Sequence, residues 1–337
     1  MSGLKDIAAK TGLSMNTVSR ALRDSGYVSA SAREKVICAA KELGYAPNRA
    51  ARSLRFRKNF EIGVITFIRG EDFYCDALHM AQVAGIKRKL MASGYELNLH
   101  FAYRENNTLE TAAFMDEVLE QKPAGLIIMG LNTQAIEMVK IGRKKNVPSI
   151  LISSSELKDF DCIYIDRAQG VRDAVCHMAE KGRRNIAFVG STSCSNRLRG
   201  YREAIKQHNL NEIILVSNYK DNTLNGLFET GLDIAEKILR HQPRPDAIQA
   251  YSDYLAAGIL AGFHRAGIKV PDDIAVSGFD NRELASFTYP PLTTVAQPSF
   301  KVGEMCTEFI IGKIERKKEK ETTAIRVPMK LEIRQSA

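Results

Sequence analysis

Three short stripes of apolar residues at helical spacing open the chain. The first stripe consists of Leu4, Ile7, Ala8 and Thr11, the second of Val18, Ala21 and Leu22, and the third of Val36, Ala39, Ala40 and Leu43. Gly12 interrupts the first stripe, and Ser14 can cap the second by accepting a hydrogen bond from a backbone N–H. A capping box from Ser31 to Glu34 predicts the start of a helix that carries the third stripe. These signals predict a three-helix unit whose first two helices have helix-turn-helix spacing.

From residue 60 onward, short apolar runs alternate with helical patterns in two rounds. The first round predicts strands at 62–67, 96–101, 125–129 and 149–152, with helices at 77–91, 109–120 and 135–144. The second round predicts strands at 162–165, 185–189, 213–216, 247–250 and 275–278, with helices at 170–181, 198–207, 227–239 and 254–266. The alternation predicts two doubly wound α/β lobes with parallel sheets. Because such sheets bind ligands at the carboxyl ends of their strands, a cleft between the lobes is the expected small-molecule site.

Charge separates the two regions further. The chain has 337 residues and a net charge of +9. Residues 1–60 contain twelve Lys or Arg and four Asp or Glu, whereas the other 277 residues contain 36 and 35. A basic helical unit on a nearly neutral body is the electrostatic pattern of a nucleic-acid-binding domain joined to a second module, although a solubilising basic tail is the simpler alternative.

The second predicted helix carries polar side chains that can read bases. Met15, Asn16, Ser19 and Arg20 are expected on the face opposite its apolar stripe. Arg can bind guanine, Asn can pair with adenine, and an apolar side chain can cover the thymine methyl group in a major groove. A solvated helix face is the alternative interpretation. Four further side chains are better placed for phosphates: Lys5, Tyr27, Ser29 and Arg33.

The N-terminal motifs resemble the LacI/GalR family of bacterial transcription regulators. The match runs from Leu4 through Gly12 and Arg20 to the segment 45–54. The resemblance implies a hinge helix at 48–55, which pairs with its twin in a homodimer and inserts Leu54 into the minor groove. An apolar wedge can kink DNA at a cost of a few kcal/mol of unstacking, but Leu54 could instead pack against its own core. The resemblance also implies DNA contacts from Ser14, Thr17, Tyr45, Asn48 and Ala51.

The resemblance continues through the body, which is expected to fold like a periplasmic sugar-binding protein. It implies lobe crossovers near 160, 290 and 320, and effector contacts from Arg197, Asp280 and the pair Ser252 and Asp253. A guanidinium and a carboxylate can bracket sugar hydroxyls, which donate and accept, but they could equally form a structural ion pair. The expected aromatic contacts are Phe73 and Tyr74 after the first strand, where simple packing is as plausible, and Tyr219 in a stretch that departs from the family's usual length.

Several classes of protein lack support in this sequence. The longest apolar run, 124–131, is too short for a membrane span, and the charged N-terminus does not resemble an export signal, so we expect a cytoplasmic protein. Six scattered cysteines indicate neither disulfides nor a metal cage. No nucleotide-binding or hydrolase motif occurs, so we expect no cofactor, no metal and no enzyme activity.

The sequence therefore predicts a small all-α headpiece at 1–46, a hinge and linker at 47–59, and a two-lobed α/β effector and dimerisation domain at 60–337. We expect a homodimeric repressor that binds a palindromic DNA operator under allosteric control by a small molecule, with a carbohydrate as first choice and a purine or partner protein as alternatives. A ligand-binding transport protein and a two-lobed enzyme are the rival functions. The identity of the effector, the direction of its effect and the operator sequence stay open.

Overall fold

The computed structural model describes residues 3–22, 28–45, 59–68, 76–103, 110–130, 133–191, 195–216, 224–316 and 322–337. Its first unit consists of α1 (Leu4–Thr11), α2 (Met15–Leu22) and α3 (Ala30–Glu42). The three helices bury one small apolar core, which consists of Ile7, Val18, Ala21, Val36, Ala39 and Ala40. The predicted three-helix headpiece is confirmed.

Local hydrogen bonds set the ends of these helices. Gly12 ends α1 in the left-handed conformation, with φ of 70°, and its N–H donates to the carbonyl of Ala8 at 2.9 Å. Ser14 Oγ accepts from the N–H of Thr17 at 3.1 Å, as the sequence predicts. The expected capping box at Ser31 is wrong: Ser29 is the N-cap of α3 and accepts from the N–H of Ala32. Because Ala30 already has helical geometry, Ser31 lies inside the first turn.

The first lobe is built on a six-stranded parallel sheet in the order β2-β1-β3-β4-β5-β11. Its strands are β1 (Glu61–Thr66), β2 (Glu96–Phe101), β3 (Gly125–Met129), β4 (Ser149–Ser153), β5 (Cys162–Ile165) and β11 (Ala324–Val327). The helices between the first four strands are α4 (Ala77–Ser93), α5 (Thr111–Glu120) and α6 (Thr133–Lys144), and α11 (Ser299–Arg316) packs against α4.

The second lobe repeats this strand order as β7-β6-β8-β9-β10-β12. Its strands are β6 (Ile186–Gly190), β7 (Ile213–Val216), β8 (Ala247–Ala250), β9 (Ala275–Asp280), β10 (Thr293–Ala296) and β12 (Lys330–Glu332). Its helices are α7 (Arg167–Glu180), α8 (Ser195–Gln207), α9 (Leu224–Arg240) and α10 (Asp253–Arg265), with a 3-10 turn at Glu283–Ser286. Unlike every other described pair, β12 runs antiparallel to its neighbour, β10.

The chain passes between the two sheets after β5, after β10 and again between β11 and β12. The last passage is very short, because β11 ends at Val327 and β12 begins at Lys330. Met329 in this connector is buried, and its N–H donates to Gln169 Oε1 at 2.9 Å. Within the described ranges, no helix is both long enough and apolar enough to cross a bilayer. The predicted fold class, a helical headpiece followed by two parallel α/β lobes, is confirmed.

Candidate functional site

One face of α2 is open for contact with a partner. Met15 is 39% exposed, Asn16 and Arg20 are exposed, and Thr17 is half-buried, with its hydroxyl 2.9 Å from that of Ser14. Val18, on the opposite side, is fully buried in the core of the headpiece. A short helix seated on two others in this way can enter a major groove with its exposed side chains toward the base edges.

The predicted exposure of Ser19 is wrong, because Ser19 is only 8% exposed. At about 100° per residue, Leu22 lies about 40° from Val18 and about 60° from Ser19, so Ser19 extends the buried stripe on the side of Leu22. The buried stripe of α2 is therefore wider than the apolar residues alone indicate. Of the four side chains that were predicted to read bases, those of Met15, Asn16 and Arg20 are exposed.

The other predicted DNA contacts differ in how far their side chains are exposed. Lys5 is exposed on α1, Ser29 is exposed but caps α3, and Arg33 and Tyr45 are half-buried. The remaining predicted contacts lie outside the described residues; they are Tyr27, Asn48, Ala51 and Leu54. Contact of all these residues with DNA stays a prediction.

In the second lobe, the predicted effector residues meet at the carboxyl end of the sheet. Arg197 lies in the first turn of α8 and is 8% exposed. Its guanidinium carbon is 4.2 Å from the ring centre of Tyr251 and 4.1 Å from that of Phe279, so the cation is held between two aromatic rings. Arg197 Nη2 lies 3.6 Å from Oδ1 of Asp280, the last residue of β9.

Asp280 is held in place on several sides. Gln297 Nε2 donates to its Oδ1, and Arg282 Nε lies 3.9 Å from its Oδ2. The backbone of Asp280 has φ of 106°, which residues other than glycine rarely adopt. The family resemblance pointed to Asp280 and Arg197, but neither it nor the periodic pattern of the sequence singled out Gln297 and Arg282.

Ser252 and Asp253, at the start of α10, both make hydrogen bonds within the protein. Ser252 Oγ caps α10 by accepting from the N–H of Leu255 at 3.3 Å. Asp253 is 0% exposed, and its two oxygens accept from Thr294 Oγ1 and from the N–H of Arg282, the latter at 2.6 Å. Burial, together with the nearby Asp280 carboxylate, raises the pKa of Asp253 to about 7. Both carboxylate oxygens of Asp253 are therefore engaged within the protein, and its contact with an effector stays a prediction.

The first lobe faces this cluster with a carboxylate and a histidine. Asp76, the N-cap of α4, accepts from the N–H of Leu78 at 3.0 Å, from His79 Nδ1 at 2.8 Å and from Arg282 Nη2 at 3.2 Å. Burial opposes ionisation of Asp76, but the hydrogen bond and charge of His79, with the charge of Arg282, outweigh it and hold its pKa well below the usual range.

A second bond also joins the lobes, because Asn196 Nδ2 donates to the carbonyl of Ser154 at 2.9 Å. We call the space bordered by Asp76, Arg197, Asp280 and Arg282 the cleft. Phe73, Tyr74 and Tyr219, which were predicted to stack on a ligand, lie outside the described residues. No group of three potential metal ligands occurs in the parts of the chain that the structure describes.

Comparison with known proteins agrees with both halves of this architecture. The model of bacterial regulatory proteins of the lacI family matches residues 3–48, and that of the periplasmic binding protein-like domain matches residues 175–337. The ribose operon repressor of Escherichia coli (strain K12) is 32% identical over 323 residues, which cover 93% of either chain. Catabolite control protein A of Priestia megaterium is 29% identical over 340 residues, 98% of either chain.

A solved structure of the Lac repressor dimer bound to operator and the anti-inducer ONPF has a TM-score of 0.74 and 26% identity. The similarity covers 99% of this chain and 98% of that chain. Similarity over nearly the whole length includes the exposed face of α2 and the cleft between the lobes. The chain therefore belongs to the LacI family, whose members are DNA-binding transcription regulators under allosteric control by small molecules.

Proposed function

We propose that this chain is a homodimeric repressor that binds a palindromic operator and responds to a sugar in the cleft. The observation that carries the sugar assignment is the buried pair of Arg197 and Asp280 at the carboxyl end of the second sheet. A guanidinium donates and a carboxylate accepts, so together they suit the hydroxyl groups of a carbohydrate. The similarity to a ribose operon repressor supports the same ligand class.

The proposed DNA contacts follow the exposed face of α2. Asn16 and Arg20 read base edges in the major groove, whereas Lys5 binds phosphate and contributes affinity without sequence preference. Residues 47–59 form the hinge between a DNA-binding domain at 1–46 and the effector domain at 60–337, and Leu54 is the minor-groove wedge. Closure of the lobes around the sugar changes the distance between the two hinges of the dimer, and so couples the two sites.

This role requires no catalytic step, and the similar proteins above are regulators. It also places the protein in the cytoplasm, where its operator lies. A purine or a partner protein as effector would leave the sugar panel described below without effect on the protein, whereas a transport protein would bind a ligand but show no preference for any duplex DNA.

Selection from random duplex DNA tests the DNA assignment. We expect wild-type protein to select a palindrome, and Asn16→Ala or Arg20→Ala to relax discrimination at one or two base pairs of each half-site, at a cost of about 1–3 kcal/mol. Lys5→Ala is the matched control, since it should weaken binding to all sequences alike. It should also reduce the slope of log K against log salt concentration by about 1, the value for one lost phosphate contact. An unchanged site profile for both α2 variants contradicts the assignment of α2 as the reading helix.

A further inference from the structure

Arg282 is a buried cation that none of the sequence patterns singled out. It lies two residues after the end of β9, and its side chain is only 11% exposed. Its Nη2 reaches across to Oδ1 of Asp76 in the first lobe, at 3.2 Å. The backbone N–H of Arg282 is tied to Asp253. The side chain of Arg282 is thus directed into the cleft and bridges its two sides.

Most of the hydrogen-bonding capacity of this guanidinium is unused. Among the described residues, Nε and Nη1 are buried without any hydrogen-bond partner. The carboxylate oxygen near Nε, Asp280 Oδ2, is 3.9 Å away, which is too far for a hydrogen bond. Buried donors without acceptors are rare in native proteins, because each has lost its water without replacement. Their presence beside the effector residues points to acceptors supplied by a ligand.

The protein groups around Arg282 are already engaged. Asp76 Oδ1 accepts from backbone N–H groups as well as from Arg282, and its Oδ2 accepts from His79 Nδ1. Both oxygens of Asp253 also have partners. Asp280 Oδ2 is different, because no described donor lies within hydrogen-bond distance of it. One acceptor and one donor without a hydrogen-bond partner therefore lie 3.9 Å apart; they are Asp280 Oδ2 and Arg282 Nε.

We propose that Arg282 is a specificity-determining effector contact, and that its Nε and Asp280 Oδ2 share one hydroxyl group of an uncharged, polyhydroxylated ligand. An oxygen about 2.8 Å from each of two atoms fits between groups that are 3.9 Å apart. A hydroxyl can accept from Nε and donate to the carboxylate at once. The Nη1 donor binds a second ligand oxygen. This inference rests on the proposed function, which it deepens.

The same geometry disfavours an anionic ligand group at this position. At the position proposed for the shared hydroxyl, a phosphate or carboxylate oxygen would lie within hydrogen-bond distance of Asp280 Oδ2, and two negative charges at that separation repel each other. An anionic group also has no proton for Asp280 Oδ2. We therefore expect neutral sugars to bind and their aldonates and phosphate esters to bind more weakly at this subsite.

Calorimetric titration and thermal shift of the full chain test the proposal with a fixed panel of probes. The panel contains D-ribose, other neutral pentoses and hexoses, cellobiose, D-ribonate, D-gluconate and D-ribose 5-phosphate. We expect at least one neutral sugar to raise the melting temperature of the wild-type protein, since a ligand that binds only the folded state stabilises it. If none does, or if only anionic members do, the uncharged polyhydroxylated class is overturned.

Three variants separate a ligand contact from a lobe bridge. Arg282→Met should lose roughly 10- to 100-fold in affinity for that sugar, because it removes hydrogen bonds from a charged donor. Asp76→Asn removes the charge across the cleft but keeps the Arg282 donors, and should lose less than about 5-fold. Arg240→Met, at a side chain that is 81% exposed in the same lobe, is the matched control and should bind as the wild type does. Equal losses for Arg282→Met and Asp76→Asn overturn the direct contact.

Deoxy analogues of the bound sugar give a readout that a merely structural role would not move. Wild-type protein should discriminate against the analogue that lacks the shared hydroxyl, and Arg282→Met should lose that discrimination at one position only. If Arg282→Met does not fold, Arg282→Gln takes its place. Uniform weakening for every analogue overturns the proposal. Selection of an operator by the same preparation shows separately whether the proposed function holds.

Discussion

The two lobes share one strand order but differ in the chemistry at the ends of their strands. In the first lobe, β1 ends at Thr66 and β4 ends at Ser153, which are buried, uncharged hydroxyl side chains. In the second lobe, β9 ends at Asp280, and Arg197 and Asp253 lie in the first turns of α8 and α10; all three are charged types and less than 9% exposed. The first lobe contributes Asp76, at the start of α4, and this side chain is more exposed. The difference indicates that the shared topology provides the position of the cleft, whereas a few residues along each side of it decide which charges face it.

The largest effect that would test this contrast concerns loss of the Asp280 charge. Asp280→Asn keeps a side chain that tolerates positive φ but leaves the buried guanidinium of Arg197 without its carboxylate and that of Arg282 with Asp76 alone, so we expect about 3 kcal/mol of destabilisation. Thr66→Val in the first lobe removes a hydroxyl that accepts from the N–H of Ile68 and should cost about 1 kcal/mol. Urea unfolding of both variants measures the difference. Equal costs would contradict the contrast between the lobes.

A smaller effect concerns the pH dependence of stability. Because the pKa of Asp253 is raised from 3.8 to about 7 in the folded state, the folded chain binds more protons than the unfolded chain between these values. The contribution of Asp253 to the free energy of unfolding should therefore fall as pH rises through this window, by about 1.4 kcal/mol per pH unit, and level off above it. Asp253→Asn removes this contribution.

Urea unfolding of the wild type and of Asp253→Asn at pH 5, 6 and 7 measures the contribution of Asp253. This contribution is the difference between the two proteins in the free energy of unfolding at each pH. Asn can donate to Thr294 and accept from the N–H of Arg282, so the variant should fold. Parallel pH profiles for the two proteins would show that Asp253 titrates normally.

The smallest expected effect on stability concerns the hydrogen bond that Asn196 makes between the lobes. Asn196→Ala removes its bond to the Ser154 carbonyl and should cost about 1 kcal/mol, with faster amide hydrogen exchange on both sides of the cleft. Asn59→Ala is the matched control, because Asn59 donates to the carbonyls of Gln121 and Lys122 within the first lobe. Faster exchange at the cleft in Asn59→Ala as well would show that the Asn196 bond has no special part in holding the lobes together.

Periodicity predicted the repeating part of this fold well. All nine strands expected before residue 280 are present within two residues of their predicted bounds, because each is a short apolar run next to a helical pattern. The pattern missed β10, α11, β11 and β12. Short strands such as β11 gain their stability from partners far away in sequence, and β11 pairs with β5 across some 160 residues, which no local window can detect.

The candidate site was only partly predicted, because some of its residues depend on contacts with residues far away in the sequence. Arg197 and Asp280 were found through family resemblance, and the structure brings them together. Arg282 was missed because its role depends on contacts with Asp76, 206 positions away, and with Asp253. The burial of Ser19 was also missed, since a polar residue within a short helix does not reveal how wide the buried face is.

The two-residue link between β11 and β12 restricts how this protein can move. The Cα atoms of Val327 and Lys330 are joined by three virtual bonds of about 3.8 Å, so they can never be more than about 11 Å apart. Because one sheet is attached at each end of this link, the lobes can rotate about it but cannot separate there. Binding in the cleft can therefore change the angle between the lobes but not their separation at this link.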